Sequence, residues 1–251
     1  MSRIYLKSVG SDPEFFIFNK GLPVSSVGMI PGSKAKPFKI TDHEAVQVDN
    51  VALEFNVKPS KSAEEFIESL ERCYHWASKH LASIDKGLYL SPTASVIFPP
   101  EELKTRAAKR FGCEPDFNAW EMGGVNAMPR SVDGLRSCGG HIHLGLDADG
   151  DMDVDRLIRL MDKYVGIYTS NVCGDDRRRL LYGKAGAYRM KPYGVEYRTP
   201  SISWIKSNDT IVKVFSLIKE AVLAYNLGED ADVAVMFQIN EPSIRKESVF
   251  I

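Results

Sequence analysis

The chain has 251 residues, 44% hydrophobic and 26% charged, which suits an ordinary soluble globular protein with material for one sizeable core. A formal net charge of −1 gives no general footprint for nonspecific nucleic-acid binding, so an anionic ligand must be met by local clusters. No apolar run approaches the ~20 residues that cross a bilayer, and Met1–Tyr5 lacks the apolar stretch of a secretion signal, so a cytoplasmic protein without membrane attachment is expected. Cys73, Cys113, Cys138 and Cys173 show no C-x-x-C spacing, which argues against zinc fingers and redox pairs and for reduced, mostly buried thiols.

In chain order, Ile4–Val9 reads as a strand, Gly10-Ser11-Asp12-Pro13 as a turn, and Glu14–Asn19 as a second strand closed by Lys20-Gly21. Glu14 is an isolated acid among Phe15, Phe16, Ile17 and Phe18. A long polar loop, Val27–Asp42, carries Lys34, Lys36 and Lys39, each as readily solvated as anion-facing. Ala45–Val48 and Val51–Val57 read as strands around a bend at Asp49-Asn50. In the second, Val51, Leu53, Phe55 and Val57 alternate with Ala52, Glu54 and Asn56, so one face is apolar and the other carries a carboxylate and an amide. Ser62 and Glu65 form a capping box for an amphipathic helix reaching about Asp85, on which His75 and His80 read as surface or packed residues. A strand over Leu88–Phe98, a short helix from Pro99-Pro100 toward Phe111 and an irregular stretch over Cys113–Arg130 follow.

The chain is organised around Arg136–Gly145, R-S-C-G-G-H-I-H-L-G. An extended backbone there puts His141 and His143 on one face and Ile142 and Leu144 on the other. A second long helix takes Val154 to Tyr168, and a third runs from an Asn208 cap to a Gly228 stop. Between them, Asp175–Ser203 is dense in arginine and tyrosine, and Glu196 and Arg198 alternate with Val195 and Tyr197. Long helices among hairpin-like strands predict one α+β domain over 1–251, with a mobile tail at 229–251. Its curved, mainly antiparallel sheet should carry helices on one face and leave the other open for ligand.

Glu14, Glu54, His141 and Glu196, placed together on that open face, make a hard donor set suited to Mg²⁺ or Mn²⁺. Asp49 can replace or join Glu54. The complement is Arg177, Arg178, Arg179, Lys184, Arg189 and Arg198, whose guanidinium forks match phosphate or carboxylate oxygens. A divalent cation with converging arginines is the apparatus of phosphoryl transfer; ion pairs with Asp175 and Asp176 are the plainer alternative for the arginine run. Neither a Walker A loop nor G-x-G-x-x-G occurs.

G-G-H-I-H, the R-R-R run, Y-G-K-A-G-A-Y-R and G-V-E-Y-R-T-P-S, with G-S-D-P-E-F and Q-V-D-N-V-A-L-E-F-N before them, resemble the phage-borne COOH·NH2 ligase branch of the glutamine-synthetase-like carboxylate–amine ligases. The motifs span Ser11 to Ser203. The resemblance implies a glutamine-synthetase-like catalytic fold and an enzyme that makes an acyl phosphate from a carboxylate and ATP, which an amine then converts to an amide. It implies that Glu14, Glu54, His141 and Glu196 hold Mg²⁺ ions bridging ATP phosphates, while His143, Arg189 and Arg198 contact phosphate or the activated carboxylate. Lys34, Lys36, Lys184 and the Arg177–Arg179 run are the candidate nucleotide contacts. Small-molecule or peptide acids and amines are the expected substrates, in the cytoplasm of a bacterial host for a phage-encoded protein. The resemblance does not reach the β-grasp domain of glutamine synthetase, so it does not imply ammonia and glutamate. A guanidino phosphotransferase and a noncatalytic metal- or nucleotide-binding protein are the competing readings.

Overall fold

Period-two alternation along the N-terminal third builds β1 (Ile4–Ser11), β2 (Glu14–Asn19), β3 (Leu22–Val24), β4 (Phe38–Lys39), β5 (Ala45–Asp49) and β6 (Ala52–Asn56). Helix α1 (Ala63–Ile84) follows, its Ser62 cap accepting from the Glu65 backbone N–H. Next come β7 (Leu88–Ser91), β8 (Ser95–Ile97), a 3₁₀ turn at Pro100–Leu103, and α2 (Arg106–Lys109). The strands β9 (Phe117–Asn118), β10 (Gly124–Val125), β11 (Leu135–Ser137) and β12 (Ile142–Ala148) lead to α3 (Val154–Met161), a π turn (Asp162–Gly166) and α4 (Ile167–Cys173). A 3₁₀ turn at Asp176–Leu180, β13 (Ala187–Lys191), β14 (Gly194–Tyr197), α5 (Asn208–Asn226) and α6 (Ala234–Asn240) complete the order. This computed structural model describes residues 2–109, 116–121, 123–127, 132–174 and 176–240. Cys113, Phe111 and residues 241–251 of the expected tail lie outside them.

The strands form two antiparallel six-stranded sheets, one ordered β1-β12-β14-β13-β9-β10 and the other β3-β2-β6-β5-β4 with β7 on β2; β8 pairs separately with β11. The α+β class follows the expectation, but the four site strands do not share one sheet: β2 and β6 belong to the second, β12 and β14 to the first. The two meet where the Glu14 N–H donates to the Gly139 carbonyl at 3.0 Å and the Phe55 N–H to the Pro13 carbonyl at 3.0 Å. Behind the first sheet, Ile142, Leu144, Val195 and Tyr197 are fully buried against a layer in which α5 contacts α3, α1 and β1. Phe66 of α1 stacks on Trp204 at 5.5 Å in the same core. No helix among the described residues is long and apolar enough to cross a membrane.

Several local expectations shift for identifiable reasons. Leu88–Phe98 is two strands, because Pro92 has no N–H to continue a ladder. The third helix is capped by Ser207, whose hydroxyl accepts from Thr210, one residue before the expected Asn208. Residues 234–240, within the expected tail, are helical, and Val235 and Ile239 are buried. Cys73 and Cys138 are buried free thiols and Cys173 is half-buried.

Away from the strand faces, buried Glu44 accepts from Arg72 at 2.6 Å, from Ser69 at 2.8 Å and from the Thr41 hydroxyl. Burial opposes its ionisation, but the Arg72 guanidinium and the two hydroxyls prevail and lower the carboxyl from 4.5 to about 2. A depressed carboxylate stabilises the fold above its unfolded value, and the contribution is lost as pH falls toward the folded value. Glu44→Gln should therefore cost about 1–3 kcal/mol at neutral pH. In urea titrations the gap to the unsubstituted chain should close as pH drops below 4.5; a gap independent of pH would refute the charge-based account.

Candidate active site

Strand register turns the sequence alternation into two rows of polar side chains. Glu14 of β2 lies opposite Glu54 of β6, and Glu54 opposite Gln47 of β5. In the other sheet His143 of β12 lies opposite Glu196 of β14, which faces Arg189 of β13. Directly opposed residues sit within about 5.5 Å, so each row is a contact set.

Among the described residues two groups of metal-capable atoms result, each with its ligand atoms within 4.8 Å of one another: Glu14, Asp49 and Glu54, and Asp12, His143 and Glu196. Asp49 is delivered to the first group by the β5–β6 turn, in which Asn50 takes the left-handed conformation at φ 59°. Both Asp49 and Glu54 therefore stand beside Glu14, so the alternatives left open by the Asp49-Asn50 step are both occupied. Asp12, in the β1–β2 turn, is the member that sequence reasoning missed. It stood inside the G-S-D-P-E-F motif, where an Asp before Pro reads as turn chemistry.

His141 and His143 share a face, as the spacing predicts, but they meet different partners. His143 joins the second metal-capable group, with Nε2 at 3.5 Å from Asp12 and Nδ1 at 3.0 Å from the Tyr193 hydroxyl. His141, expected from the resemblance to be the metal ligand, belongs to neither group. Its Nδ1 lies 3.1 Å from Asp12, 3.5 Å from Glu196 and 3.2 Å from Arg198 Nη1, beside the second group. Gly139 permits this placement: a Cβ there would stand 2.5 Å from His141 Nε2. The Gly139 N–H also donates to Glu14 at 2.6 Å.

The two groups differ electrostatically. Burial, then the charge of Asp49, pushes Glu14 up to about 8, and burial with Asp12, Glu14 and Asp49 raises Glu54 strongly. In the second group burial opposes ionisation but loses: His141 and His143 hold Asp12 well below the carboxylate range, and His141 and Arg198 bring Glu196 to about 2. Burial and the neighbouring Arg198 lower His141. A lysine ammonium touches each group, Lys34 on Asp49 and Lys191 on Glu196, both at 2.7 Å.

The arginines separate into those that reach the site and those that do not. Buried Arg198 bonds Glu196 through Nη1 and meets Asp116 at 2.8 Å through Nε, while Arg189 meets the same Asp116 at 3.1 Å. Arg178 is buried, donating to the Thr199 carbonyl at 2.9 Å; burial brings it down to about 10. A cleft is lined by Glu14, Asp49 and His141 together with Arg136, Arg178 and Arg198, whereas Asp12, His143 and Glu196 do not line it. Arg177 is exposed and donates to the Ser95 carbonyl, Arg179 lines a separate small cavity, and Lys184 and Lys36 are exposed; none of these four lines the cleft. Asp175 and the Asp176 side chain, the alternative ion-pair partners, lie outside the described residues. Asp116 carries no sequence signal, and Arg136 opens the R-S-C-G-G-H-I-H-L-G stretch without a role legible there, because both roles depend on contacts across the fold.

The motifs that supply these carboxylates, histidines and arginines meet a family comparison over part of the chain. Residues 126–235 match the family model of phage phiEco32-like COOH·NH2 ligase-type 2. The match supports a phage-type COOH·NH2 ligase and agrees with the resemblance carried by the motifs. The matched stretch holds His141, His143, Arg189, Glu196 and Arg198, whereas Asp12, Glu14, Asp49 and Glu54 precede it. The family description indicates, at the coarse level, an enzyme joining a carboxylate to an amine. No curated protein matches the chain significantly.

Proposed function

We propose that this chain is an ATP- and Mg²⁺- or Mn²⁺-dependent ligase that joins a carboxylate to an amine through an acyl phosphate, on a fold of the glutamine-synthetase catalytic type. The observation that most supports this reading is the pair of hard-donor groups set beside buried arginines: Glu14 and Asp49 line a cleft with Arg136, Arg178 and Arg198, and Glu196 of the other group bonds Arg198. The donor chemistry fits divalent cations: Glu14, Asp49 and Glu54 are oxygen ligands crowded together, and burial, then the neighbouring carboxylates, raises Glu14 and Glu54. Asp12, His143 and Glu196 would hold a second ion. Bound there, the cations would neutralise and align the ATP phosphates.

In the reaction, an oxygen of the substrate carboxylate attacks the γ-phosphorus, the bond to the β–γ bridging oxygen breaks, and ADP leaves. The amine nitrogen then attacks the acyl carbon, phosphate departs, and the nitrogen's proton passes to solvent. Arg198 and Arg189, bridged by Asp116, present forks to the transferring group and the activated carboxylate. Arg178, fixed by backbone carbonyls, and Lys34, beside Asp49, are the nucleotide contacts nearest the cleft. Small or peptide acids and amines in a bacterial cytoplasm are the proposed substrates.

ATP should bind only with Mg²⁺ or Mn²⁺ present. Calorimetric titrations with the metal and with EDTA test this, and equal affinity in the two would remove the metal-bridged site. ADP release that requires an amine and matches amide formed separates a ligase from a guanidino phosphotransferase. Nucleotide binding without turnover would leave a binding protein.

A further inference from the structure

Behind the arginine wall lies a carboxylate that the reaction does not use. Asp162 is fully buried at the start of the π turn between α3 and α4. Its Oδ1 accepts from the Tyr197 hydroxyl at 2.6 Å and the Thr199 hydroxyl at 3.2 Å; its Oδ2 accepts from Trp120 Nε1 and the Gly186 N–H, both at 2.6 Å. Tyr197 and Thr199 flank Arg198 in sequence. Gly186 immediately precedes β13, which carries Arg189, and Trp120 closes the short segment that begins at Asp116, the carboxylate shared by both arginines. One side chain thus ties together, from the rear, the three segments that present Arg198, Arg189 and Asp116.

The surroundings are shaped for this contact. Gly166, in the π turn, would with a Cβ stand 2.5 Å from the Tyr197 hydroxyl and 3.2 Å from Asp162 Oδ1, so only glycine lets that hydroxyl reach the carboxylate. A π turn is uncommon and recurs where a helix must aim a functional side chain. The four bonded donors are all neutral, so the group is not the buried half of an ion pair; it is a multiple acceptor joining these segments from behind.

We propose that Asp162 is a positioning residue that holds Arg198 and Arg189 in register over the cleft. The proposal rests on the ligase reading for its catalytic consequence but not for its structural one. Asp162→Asn keeps the size while turning one acceptor edge into a donor. Trp120 Nε1 and the Gly186 N–H can only donate, so the new amide N–H₂ must face Tyr197 and Thr199, whose hydroxyls have to rotate to accept it. The disturbance falls on the two neighbours of Arg198.

The test uses the full chain and two variants, Asp162→Asn and Thr199→Val, the second removing only the Thr199 hydroxyl, with its contacts to Asp162 and the Lys184 carbonyl, should the first fold poorly. Arginine Nε–H resonances of Arg198 and Arg189 in ¹H–¹⁵N spectra should shift or broaden in both variants. The kcat for amine-dependent ADP release should fall about 10–100-fold in Asp162→Asn, as when a supporting shell is lost, with a smaller loss in Thr199→Val. KM for MgATP should stay within about threefold, since the metal groups are untouched. Unmoved arginine resonances, or an unchanged kcat with only a lower melting temperature, would overturn the proposal and leave Asp162 a structural residue. If the unsubstituted chain shows no turnover, the ligase reading fails by itself, and the resonances alone decide whether Asp162 positions the arginines.

Discussion

Arg198→Lys is expected to lower turnover by about 10²-fold or more, the usual cost of losing a preorganised donor to developing charge, with little change in folding. The reason lies in the geometry of the fork. Arg198 is 4% exposed and spreads its donors three ways, Nε to Asp116 and Nη1 to Glu196 and toward His141. A lysine ammonium keeps the positive charge that buried Asp116 and Glu196 need, so no carboxylate is stranded. As a single point on a flexible stem, however, it cannot keep the planar spread of contacts. Steady-state ADP release with circular dichroism as the folding control measures the effect. A variant at the unsubstituted rate would reduce Arg198 to a structural ion pair with Glu196 and Asp116.

His143→Ala should weaken Mn²⁺ binding by more than the 10–100-fold typical of outer-sphere substitutions, whereas His141→Ala should stay within that range. His143 Nε2 stands with the Asp12 and Glu196 oxygens in one group of mutual contacts, and the Tyr193 hydroxyl at its Nδ1 orients the ring as an outer partner orients a metal-bound imidazole. His141 instead touches Asp12, Glu196 and Arg198 from the side, as a neighbour of ligands. This reverses the division that the family resemblance implies, in which His141 is the ligand and His143 the phosphate contact. Electron paramagnetic resonance of bound Mn²⁺ in the two variants separates the assignments. Equal loss would refute the division, and greater loss in His141→Ala would restore the one drawn from the motifs.

What the sequence by itself determined about this protein are the features written in local period. Side chains two apart leave one face of a strand, so His141 with His143, and Glu196 with Arg198, were legible as pairs, and Glu54 as the polar member of an apolar strand. The capping box of α1 and the amphipathic runs of α1 and α5 were equally visible, because each depends on residues within a few turns. The tertiary structure alone decided which pairs meet. Strand order assigned Glu14 and Glu54 to one sheet and His143 and Glu196 to another, and the junction at Gly139, with Asp12 in the β1–β2 turn, then set the two rows beside each other. Asp12, Asp116 and Asp162 show the same limit from the other side. Each looks like a turn, loop or helix acid in sequence, and each finds its partners on segments remote in the chain. No local period encodes such a meeting; it exists only after burial and strand register have chosen the neighbours.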